Sequence, residues 1–166
     1  MVQARWPGDP DAMFRSIVRG CAAGAAGTTA LNAVTYADMA LRGRSPSSAP
    51  EDVVDKVTTA VGHPVPDSEG RGNRLSGLGA LSGITVGVAT GAAVALLHRA
   101  GLRPPVWLGG LLTGAMAMAA SDAPMAGLGV SDPRTWSAAD WTADVVPHVA
   151  YGLVTYGAVA GADRHV

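Results

Sequence analysis

The chain has one cysteine, one phenylalanine and, at Lys56, one lysine. A lone Cys21 excludes an intrachain disulfide and any multi-cysteine metal centre. Set among small apolar residues, it reads as packing rather than as a nucleophile. Charged residues are 15% of the chain, against about 25% in an ordinary water-soluble domain. Aromatic residues are 5%, so the bulky side chains that supply most burial energy in a water-soluble core are scarce. The formal net charge is −1, with arginines scattered along the chain, which leaves no electrostatic footprint for nucleic acid. No phosphate-cradling glycine loop with lysine, no Gly-x-Ser-x-Gly and no His-Glu-x-x-His occurs. No catalytic residue, metal or cofactor is therefore assigned, and the chain is not expected to be an enzyme. The stretch before Cys21, Ile17-Val18-Arg19-Gly20, puts arginine where a lipoprotein signal is apolar, so the N-terminus is expected to be retained.

Glycine is abundant, at 22 of 166 residues, alongside alanine, valine and leucine. Small residues suit helices that pack in lipid, where association depends on close backbone approach rather than on hydrophobic burial. The clearest such segment is 76–97, which carries no charge. At 1.5 Å per residue it covers roughly 33 Å, against a hydrocarbon core of ~30 Å. Arg71 and Arg74 precede it, and His98 and Arg99 follow. A second segment, 105–130, opens on Pro104-Pro105, carries Trp107 as an interfacial anchor, and should bend or end near Pro124. A third, 145–162, follows Ser137-Ala138-Ala139-Asp140, close to a capping box. The weakest by hydropathy, 16–41, holds Thr28, Thr29, Asn32 and Thr35 and needs partner helices.

The polar loop 42–75 contains one short amphipathic helix. Ser48-Ala49-Pro50-Glu51 reads as its capping box, Val53, Val54, Val57 and Val61 share one face, and Gly62 stops it. The expected fold is therefore all-α: an up-down, integral membrane four-helix bundle with a surface helix in the first loop, forming one domain over 1–166. Basic residues divide six and six between the two sides, so the positive-inside rule does not choose. Both termini are placed in the cytoplasm, in a multi-pass inner-membrane protein.

Two constellations stand out. Gly79, Gly83, Gly87 and Gly91 recur every four residues, a glycine zipper on one helix face, and Gly20-x3-Gly24 echoes it. Such grooves serve packing within the bundle, a homo-oligomer or a larger membrane complex. The other constellation follows from threading. Asp38, Asp122 and His148 fall toward the same membrane face, and Asp144 shares a helix face with His148. Ionisable groups there are costly and tend to pair or to line water-filled paths. An ion-pair network fixing helix ends is one reading; a proton or ion conduit is the other.

Leu41-Arg42-Gly43-Arg44-Ser45-Pro46, Ala49-Pro50-Glu51 and the late Pro147-His148-Val149-Ala150-Tyr151-Gly152 resemble the YagU-like group of small bacterial inner-membrane proteins. The resemblance implies a multi-span protein without an assigned reaction and carries no catalytic residues with it. The expected role is a non-catalytic structural or accessory subunit in the lipid bilayer, packed through glycine-lined faces. The alternative is a small transporter or proton conduit using the Asp/His cluster.

Overall fold

The computed structural model describes residues 10–162. The polar start of the chain, Arg5 included, and the tail Asp163-Arg164-His165 lie outside the described residues. Those residues are all-α and contain no strand. The helices are α1 (Pro10–Arg42), α2 (Ala49–Ala60), α3 (Arg71–Arg99), α4 (Val106–Gly127) and α5 (Ala138–Ala162), with a one-turn 3-10 helix at Pro133–Thr135.

Local chemistry moved several boundaries from their expected places. α5 starts at Ala138 rather than near Val145, because Ser137 and Asp140 form the reciprocal cap. The Ser137 backbone N–H donates to Asp140 Oδ2 at 2.9 Å, and the Asp140 N–H donates to Ser137 Oγ at 3.2 Å. α4 ends at Gly127, within one turn of Pro124 and short of the expected 130.

The capping box expected at Ser48 does not form. Ser48 Oγ donates to Asp52 Oδ2 at 3.1 Å, and Glu51 turns away to accept from Ser76 Oγ of α3 at 3.0 Å. Tertiary contact outcompetes the local cap because α2 lies against α3. Arg71 pairs with Asp55 at 2.5 Å, and Lys56 donates to the Leu128 carbonyl, just past α4, at 2.7 Å. A cation on the orphan carbonyls at a helix C-terminus satisfies them and complements the helix dipole.

Paired positions give the directions of the long helices. Gly20 meets Gly91 and Gly24 meets Gly87, so α1 and α3 are antiparallel. Gly114 meets His148 while Gly110 meets Leu153, so α4 and α5 are antiparallel as well. α5 also packs along α1. These approaches are backbone on backbone. A Cβ added at Gly20 would lie 2.6 Å from the Gly91 carbonyl oxygen, and one at Gly114 would lie 2.5 Å from that of His148.

Polar side chains share the space between the helices with Leu75, Val94, Val159 and several alanines, and many large apolar side chains lie outside. Tyr151 and Thr155 are essentially fully buried, with Tyr156, Thr113, Thr90, His98 and Asp122 close behind. Leu78, Leu81, Ile84, Leu96 and Leu97 of α3 are exposed, as are Val106, Trp107, Leu111 and Leu112 of α4. Val145, Val146, Leu153 and Val154 continue that surface on α5.

In the turn before α5, Arg134 holds the Asp132 carboxyl below the usual carboxylate range, through its guanidinium and its backbone N–H. A lowered folded pKa means the contact stabilises fully above the ordinary aspartate range and is lost as pH falls through the lowered value. The protection factor of the Thr135 amide, which donates to the Asp132 carbonyl, should therefore fall on acidification. An unchanged protection factor into strong acid would show that the cap does not hold the turn.

Candidate functional site

α4 and α5 bring Asp122, Asp144 and His148 together near one end of the molecule. Asp144 and His148 stand four apart on α5, and His148 Nδ1 lies 3.4 Å from Asp144 Oδ1. The same nitrogen lies 2.8 Å from the Asp144 backbone carbonyl. A carbonyl oxygen only accepts, so Nδ1 carries a proton. Asp122 comes from the antiparallel α4. Its Oδ1 accepts from Ser121 Oγ at 3.2 Å, and the charges acting on its carboxyl are those of Asp144 and His148. Asp122 is 9% exposed. Asp144 Oδ2 is wholly buried and has no hydrogen-bond donor.

Asp38 is engaged elsewhere. Arg42, four residues on, binds it at 2.6 Å, and the turn at Gly43 (φ 63°) swings Arg44 back onto the same carboxylate. Two guanidinium groups hold the Asp38 carboxylate at the end of α1. Asp140 serves the α5 cap and faces Arg42.

The glycine row on α3 is divided among several neighbours rather than forming one groove. Gly79 faces Pro50 and Glu51 of α2, where a Cβ would stand 3.2 Å from either. Gly87 lies against Thr28 and Tyr151, and Gly91 against Gly20 and Gly24. Gly83 meets nothing within 4 Å.

Sequence reasoning passed over Tyr151 and Thr155. Asp144, His148, Tyr151 and Thr155 are spaced four, three and four, the period of a single helix face, and this was the available signal. Tyr151 donates its hydroxyl to the Gly87 carbonyl at 2.6 Å and Thr155 to that of Ala23 at 3.4 Å. One polar edge of α5 is thereby tied to both α3 and α1. At the far end, Tyr156 donates to the Pro104 carbonyl at 2.9 Å and stacks edge-on against His98.

A carboxyl pair and an imidazole can each hold or pass a proton. Among the described residues, no group of three or more His, Cys, Asp or Glu side chains is arranged to hold a metal ion. Two described helices, α3 and α5, are long and apolar enough to cross a membrane, with mean hydropathy 1.9 and 1.3. Comparison with models of known families, with curated proteins and with solved structures finds no match to this chain.

Proposed function

We propose that this is a multi-pass inner-membrane protein in which α1, α3, α4 and α5 all span the bilayer as an up-down bundle. Its role is that of a non-catalytic structural or accessory subunit, and it is related to the YagU-like group. The observation that carries the reading is the extended apolar exterior: leucine, isoleucine, valine and tryptophan side chains of α3, α4 and α5 are exposed, while threonine, tyrosine, histidine and aspartate share the interior with a few aliphatic side chains. An apolar exterior on this scale marks a lipid or partner surface. Some of the polar groups of α1 and α4 face inward: Thr28 lies against Gly87 of α3, and Asp122 is buried. Lipid imposes its cost on the residues that face it, so a helix average understates how well these two segments suit a bilayer.

The glycine faces are largely occupied within the chain, so any homo-oligomer or larger assembly forms through the exposed aliphatic faces of α3, α4 and α5. Both termini lie in the cytoplasm in this reading, with α2 and the Asp/His site toward the opposite face.

Expressed in bacteria, the full chain should sediment with membranes, resist carbonate extraction and require detergent for solubility. Reporter fusions at the two termini should report the same, cytoplasmic side. Recovery of a folded monomer from the soluble fraction without detergent would overturn the proposal, and opposite locations for the two termini would reduce the spans to an odd number.

A further inference from the structure

We propose that the end of the bundle formed by the start of α1, the end of α3 and the turn into α4 binds anionic phospholipid: its arginines hold the headgroup phosphate, and the exposed apolar side chains beside them take the acyl chains. The proposal rests on the membrane reading above and adds to it the class of lipid.

Charge separates the two ends of the molecule. Because α1 and α3 run antiparallel, with Gly20 against Gly91, Arg15 and Arg19 lie at the same end as Arg99 and Arg103. Among the described residues the acid at that end is Asp11, so four arginines stand against one carboxylate. The flanking stretches, 1–9 and 163–166, hold one arginine and one aspartate each and leave the balance unchanged. Contacts within the protein do not remove the excess. Arg103 donates from Nε to the His98 carbonyl at 3.2 Å, but a carbonyl carries no net charge, and one aspartate cannot neutralise four guanidinium groups. At the opposite end six basic side chains meet ten acidic ones. There Arg42 and Arg44 hold Asp38, Arg71 pairs with Asp55, Arg134 pairs with Asp132, and Lys56 is bound by the Leu128 and Gly129 carbonyls. An anionic surface is therefore attracted to the first end and repelled by the second.

What surrounds the arginines gives the kind of anion. Arg15 and Arg19 are one turn apart on one face of α1, and both are exposed. Phe14 and Val18, each one residue earlier, run alongside them at 66% and 49% exposure. On the turn into α4, exposed Arg103 stands between Leu102 and Trp107, which are 60% and 63% exposed. A free inorganic anion gains nothing from this apolar surface, whereas an amphiphile with phosphate above hydrocarbon uses both parts. A guanidinium offers a planar fork that matches two phosphate oxygens. Its stem lies along apolar surface, and a tryptophan favours the headgroup level.

Trp107 is the reporter for the test, once Trp6→Phe, Trp136→Phe and Trp141→Phe have removed the other indoles. The full chain is reconstituted in bilayers of phosphatidylcholine and phosphatidylglycerol, with bromine on the acyl chains of one lipid at a time. At equal mole fraction, brominated phosphatidylglycerol should quench Trp107 more strongly than brominated phosphatidylcholine, and the preference should shrink in high salt. Combining Arg15→Gln, Arg19→Gln and Arg103→Gln should reduce it, by up to about fivefold for each arginine removed. Lysine at the same three positions should retain most of it, and Arg74→Gln, at the opposite end, should leave it unchanged. Native mass spectra of the unaltered protein released from mixed bilayers provide a measurement free of substitutions, in which phosphatidylglycerol adducts should outnumber phosphatidylcholine adducts. Equal quenching by the two lipids, equal retention of the two, or a full preference in the folded triple Gln variant overturns the proposal and leaves the membrane reading standing. No quenching by either lipid would mean that Trp107 does not face a bilayer, and both readings would fail.

Discussion

Gly91→Leu should abolish the native fold or leave a chain that melts far below the unaltered protein. The backbone of α1 at Gly20 and Gly24 lies where the new Cβ would be, with the Gly24 Cα 2.6 Å from it. Overpacking a side-chain interior typically costs about 1–3 kcal/mol because neighbouring side chains can shift. Here the obstacle is main chain, which moves only if the whole of α1 moves, so about 3 kcal/mol is a floor rather than a ceiling. The matched control is Gly83→Leu. It lies on the same helix and in the same four-residue series, yet nothing stands within 4 Å of its added Cβ. Its thermal midpoint in detergent should stay close to that of the unaltered protein. Equal midpoints for the two variants would mean that α1 and α3 do not cross at these glycines.

The second large effect is expected at Tyr151. The side chain is 1% exposed, the ring lies between α5 and the glycine face of α3, and the hydroxyl reaches the Gly87 carbonyl at 2.6 Å. Tyr151→Ala should cost about 3–5 kcal/mol, the range for emptying a buried aromatic site. Tyr151→Phe keeps the ring and removes the hydrogen bond, so about 1 kcal/mol is expected. Unfolding both variants in denaturant separates the two contributions. A Phe variant as damaged as the Ala variant would make the hydroxyl, and not the ring, the main tie between α5 and α3.

The comparison of Gly83 with Gly91 shows where sequence reasoning stops. Spacing of four makes Gly79, Gly83, Gly87 and Gly91 equivalent, because an isolated helix has no outside reference. Their separate fates follow from where α1 and α2 lie: the first turn of α2 rests on Gly79, α1 crosses at Gly87 and Gly91, and Gly83 falls between them. The same limit applied to Asp38. Its place near one end of the first helix was legible, whereas the return of Arg44 through the turn at Gly43 was a matter of chain path.

Short-range chemistry determined much on its own. The all-α class, the four long helical segments, the short helix between Ser48 and Gly62 and the pairing of Asp144 with His148 all depend on periodicity, caps and residues four apart. Those interactions close within one or two turns, so the linear chain contains all the information they need. Contacts between segments were decided only by the tertiary structure. Asp122 and Asp144 fall at the same end of the bundle because α4 and α5 run antiparallel at a register set by Gly110, Gly114 and Gly152, and Tyr151 finds Gly87 because α1 and α3 approach closely enough to present that carbonyl. Glu51 left its expected cap for Ser76 for the same reason: a helix end in solvent has water as a substitute partner, whereas a hydroxyl on a packed neighbouring helix is available only where the fold places it.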